Sequence, residues 1–151
     1  MRIIAGEARG RRLLGPRNSS VRPPLDKLRG SVFSILGGIF EGGRVLDLFA
    51  GTGSFGIEAI SRGAREAVFV EADTSTLDLL RQNVELTGFS SRARLLQGSA
   101  LVVPVLEKIG TPDFALVFMD PPFKMLEIEE SATAVFGRAR EILRSGCLTP
   151  D

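Results

Sequence analysis

The chain has no histidine, no tyrosine and a single cysteine, Cys147. Without histidine there is no Ser-His-Asp triad, no imidazole general base and none of the common zinc sites. One cysteine allows neither an internal disulfide nor a cysteine metal cluster, so no metal is expected. No apolar run approaches the length of a membrane span. Met1-Arg2-Ile3-Ile4-Ala5-Gly6 lacks the apolar core of a signal peptide. These absences make a cytoplasmic protein without membrane contact the expectation.

What is present suffices for one domain: 151 residues, 44% hydrophobic and 25% charged. The net charge of +1 hides an asymmetry. Residues 1–30 hold Arg2, Arg9, Arg11, Arg12, Arg17, Arg22, Lys27 and Arg29 against Glu7 and Asp26, a charge of +6, and the remainder carries −5. A basic arm on a mildly acidic body fits a polyanion partner. Seven of the eight cations are arginine, the residue suited to bidentate phosphate contact. A solvated tail would carry the same charge, and that alternative stays open at this point.

Along the chain, Arg2-Ile3-Ile4-Ala5 and Arg11-Arg12-Leu13-Leu14 around Gly6 and Gly10 predict a hairpin, and residues 16–24 a loop. Leu25, Leu28, Val32, Leu36 and Phe40 predict a helix after Pro24. From residue 44 the pattern alternates. Strands are expected over 44–49, 67–71, 93–97 and 114–119. Helices are expected over 54–62, 73–87 (capped by Asp73 and stopped by Gly88), 100–109 and 127–144. The last should bury Ile128, Ala132, Val135, Phe136, Ala139, Ile142 and Leu143. Alternation of this kind predicts an α/β, doubly wound, mainly parallel sheet ordered 3-2-1-4. The expected organisation is an arm over 1–23 and one domain over 24–151. The fourth strand would then be a bare apolar edge, so either the chain lacks C-terminal strands, which is the favoured expectation, or something covers that edge.

Two motifs carry chemistry. Asp120-Pro121-Pro122-Phe123 follows the apolar run 114–119. Consecutive prolines cannot continue a ladder, so the chain must leave the sheet at Asp120 with acceptors free beside an aromatic face. That arrangement suits a planar ring bearing an exocyclic amine. A rigid turn with Phe123 as core filler is the competing reading. The second motif, Asp47-Leu48-Phe49-Ala50-Gly51-Thr52-Gly53-Ser54-Phe55-Gly56, joins strand to helix, and Glu71 ends the next strand 20 residues after Gly51. A carboxylate there can take both hydroxyls of a ribose. The Gly51-x-Gly53-x-x-Gly56 spacing also satisfies a dinucleotide pattern, so NAD is considered. Asp47 beside the loop faces a cation better than a pyrophosphate, which favours S-adenosylmethionine. No Gly-Lys-Ser/Thr follows, which excludes a P-loop. Glu127, Glu129 and Glu130 read as a solvated helix start, and Asn83 as a residue satisfying local backbone.

Residues 44–123 resemble the class I S-adenosylmethionine-dependent methyltransferases, and Asp120–Phe123 resembles the (Asp/Asn)-Pro-Pro-(Phe/Tyr) box of those that methylate exocyclic or amide nitrogens. With Arg2-Ile3-Ile4-Ala5-Gly6, Arg9-Gly10-Arg11, Arg22-Pro23, Asp26-Lys27-Leu28-Arg29 and Phe33, the chain is similar to the bacterial 16S ribosomal RNA guanine-N2 methyltransferases. It departs from them at Pro24 (Thr in the family), Gly30 (Glu) and Ser99 (acidic). The resemblance implies a Rossmann-like methyltransferase and a monomer acting on ribosomal RNA or a small-subunit assembly intermediate. By the same resemblance Asp120, Pro121, Pro122 and Phe123 are catalytic. Asp47, Phe49, Ala50, Gly51, Thr52, Gly53, Glu71, Ala72, Ser99 and Ala100 would hold the cofactor. Arg2, Arg9, Arg11, Arg12 and Arg22 would meet RNA. Methylation of DNA adenine or of a protein glutamine amide, and a nicotinamide-dependent oxidoreductase, are the alternatives.

Overall fold

The structure is a computed structural model that describes residues 1–15, 24–38, 42–102, 109 and 113–144. Arg22, the loop over 16–23, most of the helix expected over 100–109, and Cys147 lie outside the described residues. Four strands, β1 Arg44–Asp47, β2 Glu66–Glu71, β3 Ala93–Gln97 and β4 Phe114–Phe118, pair in parallel in the order β3-β2-β1-β4. Around them lie α1 Pro24–Ile35, α2 Ser54–Ser61, α3 Thr74–Thr87, α4 Phe123–Glu127 and α5 Glu129–Arg144. The Rossmann-like topology is the one expected. None of the described helices is long and apolar enough to cross a membrane.

The central strands are apolar on both faces because both faces are covered. Val45, Ala67 and Phe69 pack with Ile57, Ile60, Leu77, Leu80 and Val84 of α2 and α3. Leu46, Val68, Val70 and Phe114 pack on the other side with Ala100, Ile109 and Ile142. Helix α3 has the predicted ends. The Asp73 carboxylate accepts from the Thr76 N–H at 2.8 Å, and Gly88 closes the helix at φ +79°.

Two helices depart from their predicted faces. Among the described side chains of α1 the buried ones are Arg29 and Phe33, while Leu28 is 57% exposed and the helix ends before Leu36; the Leu25 side chain and Phe40 lie outside the description. The arginine is buried because carboxylates on two neighbours receive it, which periodicity of apolar residues does not register. The predicted helix over 127–144 is broken. Ile128 is extended (φ −97°, ψ 116°), so α4 stops at Glu127 and α5 starts at Glu129. Helix α5 turns Val135, Arg138 and Ile142 inward and leaves Phe136 68% exposed and Ile128 also outside. Glu129 and Glu130 sit in the first turn of α5, exposed as expected.

The hairpin forms as predicted and is part of the core. Ile3, Ala8 and Leu13 are buried with the α2 and α3 residues. Its anchor is the Glu58 carboxylate of α2, which is fully buried. Glu58 accepts the N–H groups of Ile4 (2.8 Å) and Ala5 (3.0 Å), pairs with Arg62 at 2.7 Å and lies 3.6 Å from Arg29 Nε. Arg29 in turn donates to the Arg2 carbonyl and to Asp26. At Gly6 (φ +81°) a Cβ would stand 1.7 Å from the Ser61 carbonyl oxygen, so the turn can press onto the end of α2 only as glycine.

Glu58→Gln removes one partner from a buried charge network and leaves Arg29 and Arg62 without their shared counter-ion. It should cost roughly 3–5 kcal/mol in chemical denaturation and expose the arm to limited trypsin digestion. Gly30→Ala, whose Cβ would meet Ile4 Cδ1 at an ordinary 3.6 Å, should instead stabilise α1 by about 0.5–1 kcal/mol.

Candidate active site

Strand β1 lies between β2 and β4, with Asp47 level with Phe69 on one side and Phe118 on the other. Past that point the chain divides its bonds. The Leu48 N–H donates to the Phe118 carbonyl (3.1 Å) and the Ala50 N–H to the Val70 carbonyl (3.0 Å). The glycine loop therefore opens between the carboxyl ends of β2 and β4, at the topological switch point of the sheet. Gly53 (φ +85°) precedes α2, and a Cβ on Gly56 would lie 2.2 Å from Phe69 Cε1. The missing side chain at Gly56 is what lets α2 lie directly on β2.

Glu71 ties three loops to one another. Its Oε2 accepts the Gly51 N–H and its Oε1 the Asp73 N–H, both at 2.8 Å, and its own carbonyl accepts the Gly98 N–H at 2.9 Å. Each carboxylate oxygen keeps a second lone pair for a hydroxyl. The candidate cofactor residues thus gather at one end of the sheet. Asp47, Phe49, Ala50, Gly51, Thr52 and Gly53 come from the first loop, Glu71 and Ala72 from the end of β2, and Ser99 and Ala100 from the end of β3. Ala100 is buried in the second core cluster, and Ser99 Oγ accepts the Leu101 N–H at 3.2 Å.

The proline motif leaves β4 at the same end. Asp120 is exposed, Pro121 half-buried, and Phe123 opens α4 with 75% of its surface exposed. Phe123 is therefore a free aromatic face beside a carboxylate rather than core filler. The Pro122 carbonyl turns inward to accept the Met125 N–H at 2.8 Å.

Electrostatics at this end of the sheet are one-sided. Asp47 is buried and accepts one backbone bond, from Gly56 at 3.2 Å. Burial pushes its carboxyl up to about 7, the Asp120 and Glu71 carboxylates push the same way, and the Gly56 N–H opposes them. Three carboxylates facing one space fit a cationic ligand such as S-adenosylmethionine. A pyrophosphate would meet three like charges, which counts against the nicotinamide alternative.

Several residues that hold the site were given no such role by the sequence. Phe33 of α1, Phe55 of α2 and Phe118 of β4 form an aromatic group, with Phe55–Phe118 centroids 5.0 Å apart and Phe33–Phe118 5.6 Å. This group clamps the helix after the glycine loop to the strand before Asp120. Asn83 serves backbone, as expected, but distant backbone. Its Nδ2 donates to the Thr52 carbonyl (2.9 Å) and the Leu14 carbonyl (3.0 Å), and its Oδ1 accepts the Leu14 N–H (2.6 Å). Buried Arg138 donates to the Leu101 carbonyl at 3.0 Å, fixing the turn after Ser99 and Ala100 from α5. A polar residue on an otherwise apolar helix face was the available signal for Asn83, Arg138 and Glu58, but nothing in the sequence named their partners.

Comparison with known proteins places residues 1–148 on the family model described as Conserved hypothetical protein 95. The small-subunit ribosomal RNA methyltransferase D of Escherichia coli K12 is 37% identical over 131 residues, 87% of this chain and 64% of that protein. Bacillus subtilis YlbH, whose name carries rRNA methyltransferase as a provisional label, is 34% identical over 135 residues, 89% of this chain and 73% of its own length. The chain thus spans about two thirds of these relatives. A solved structure of a hypothetical protein from Thermus thermophilus superposes with a TM-score of 0.73 at 35% identity, covering 94% of this chain and 78% of that one.

Asp47 binds its proton more tightly folded than unfolded, so the folded state gains stability below its unfolded value of 3.8 and loses it as pH rises to about 7. Asp47→Asn should therefore match the wild type in thermal denaturation near about pH 4 and exceed it by several degrees above about pH 7. Asn83→Asp, which sets an acceptor against two carbonyls, should lower Tm and weaken S-adenosylhomocysteine binding in calorimetry by about tenfold or more.

Proposed function

The chain belongs to the Conserved hypothetical protein 95 family, and on that basis we propose that it is an S-adenosylmethionine-dependent methyltransferase acting on the exocyclic N2 amine of a guanine in small-subunit ribosomal RNA. The observation that carries this reading is the meeting of two motifs at the switch point. The glycine loop with Asp47 and Glu71, and Asp120–Phe123, leave neighbouring parallel strands at the same end. The 16S substrate is supported by the name of the Escherichia coli relative, and the guanine amine by the resemblance of the Asp120 box.

The cofactor supplies an electrophilic methyl group. Glu71 has lone pairs for the ribose hydroxyls, and Asp47 offers a buried carboxyl that a neighbouring amino-acid or sulfonium cation would hold ionised. On the substrate side, Phe123 presents an exposed face on which an unstacked base can lie. The Asp120 carboxylate and the Pro121 carbonyl accept the two hydrogens of the amine. That orients the nitrogen lone pair and stabilises the positive charge that develops on nitrogen. Asp120 then takes the surplus proton. It is exposed, while Asp47 is buried, so the two carboxylates divide the work: Asp47 for the donor, Asp120 for the acceptor.

Methyl transfer from labelled cofactor to bare 16S RNA, immature small subunits, duplex DNA and protein tests the reading. RNA or the immature particle should be labelled on guanine N2; labelling of DNA or protein alone would reject it. Asp120→Ala should lower turnover by about 10²–10⁴-fold with S-adenosylhomocysteine affinity preserved. Phe123→Ala should weaken substrate binding by the roughly 1–3 kcal/mol of a lost base stack, seen as a raised KM for RNA.

A further inference from the structure

The structure assigns a specific role to Arg2 and Arg12: we propose that they form a phosphate clamp on the hairpin, gripping the backbone of the RNA strand that carries the target base. The inference rests on the RNA reading above and says which part of the arm makes the contact, and how.

The hairpin places these two residues opposite each other. The Ile3 N–H donates to the Arg11 carbonyl at 2.9 Å and the Leu13 N–H to the Met1 carbonyl at 3.0 Å. Those bonds flank Arg2 and Arg12 without involving them, so the two form a non-hydrogen-bonded pair, the kind whose Cα atoms approach to about 4.5 Å. Alternation along both strands puts Ile3 and Leu13 in the core and Arg2 and Arg12 outside. Two guanidinium groups therefore leave the same face of the ribbon at the closest spacing a sheet provides. Like charges directly opposite are unfavourable there, unless an anion comes between them.

Four other arginines nearby are already engaged. Arg29 and Arg62 hold Glu58, Arg11 donates to the Leu86 carbonyl, and Arg92 pairs with Glu7. Among the described residues, Arg2 and Arg12 have no carboxylate or carbonyl partner for their side chains. Their backbone is nonetheless held firmly. The Arg2 carbonyl accepts from buried Arg29, and two residues past Arg12, Leu14 is gripped by Asn83, which also holds Thr52 of the glycine loop. The pair thus stands on rigid backbone joined directly to the cofactor loop. A phosphodiester carries the charge and the paired oxygens that two arginine forks accept. Arg65, just before the amino end of β2 and so at the opposite end of the sheet from the site, and Arg140 on α5 are exposed arginines that together serve as the charge-matched control.

The test compares wild type with the double variant R2Q/R12Q and the control double variant R65Q/R140Q. Binding of a short fluorescent 16S-derived RNA hairpin is followed by anisotropy over a salt series. Melting temperature is followed with and without inorganic pyrophosphate. The clamp predicts that R2Q/R12Q binds RNA about tenfold or more weakly, with a salt slope shallower by about 1–2, and that R65Q/R140Q changes far less. It also predicts that free R2Q/R12Q melts no lower than wild type, since a repulsion is removed, and that pyrophosphate stabilises wild type and R65Q/R140Q but not R2Q/R12Q. Equal losses in R65Q/R140Q and R2Q/R12Q would reduce the pair to general positive charge and overturn the clamp, as would equal stabilisation of all three proteins by pyrophosphate. If wild type bound no RNA yet pyrophosphate separated the variants, the anion site would stand and the RNA reading would fall.

Discussion

The parallel pairing of β1 with β2 on one side and β4 on the other is the constraint on which the site depends. A strand in the middle of a parallel sheet must release its chain at the carboxyl end, and its two neighbours release theirs beside it. Asp47, Glu71 and Asp120 stand at those three exits. The bonds from Leu48 to Phe118 and from Ala50 to Val70 continue the pairing just far enough to aim the glycine loop between its neighbours. No side chain of the candidate site has to be recruited from far away. The crossovers bring the three loops together because parallel strands admit no other connection.

This geometry concentrates negative charge. Asp47 is held away from water with two carboxylates near it and one backbone N–H in its favour, and its proton affinity rises accordingly. Like charges crowded into one crevice repel one another, and a cation relieves them. On the proposed reading, a positively charged donor would gain from relieving this repulsion, at the expense of the stability of the free protein. Asp120, exposed on the outer side of the same crevice, escapes that burial and keeps its carboxylate open to a second molecule.

The arm belongs to the same mechanical unit. Glu58 and Asn83 are buried polar residues on helices that otherwise pack apolar faces, and each satisfies hairpin backbone more than fifty residues away in sequence. Glu58 fixes the start of the hairpin to α2, and Asn83 fixes its end to the glycine loop. The aromatic group of Phe33, Phe55 and Phe118 does the equivalent for α1, α2 and β4. A basic surface that would be a floppy tail if only charge were considered is instead set at a defined place relative to the site.

The sequence by itself determined the strand order, the ends of α3, the hairpin, and the two loops that would carry chemistry. Each of these rests on local rules: periodicity, glycine and proline stereochemistry, capping, and the handedness of crossovers. Which charged residues would be buried was decided only by tertiary structure. Arg29, Glu58 and Arg138 look like surface residues in the sequence, because burial of a charge is set by partners distant in the chain. For the same reason the inward faces of α1 and α5 shifted onto Arg29 and Arg138, and the helix expected from residue 127 broke at Ile128. The proton affinity of Asp47, too, follows first from its burial and then from the Asp120 and Glu71 carboxylates, which come near it only in the fold. Local residue types can announce a loop; the field inside it belongs to the folded neighbours.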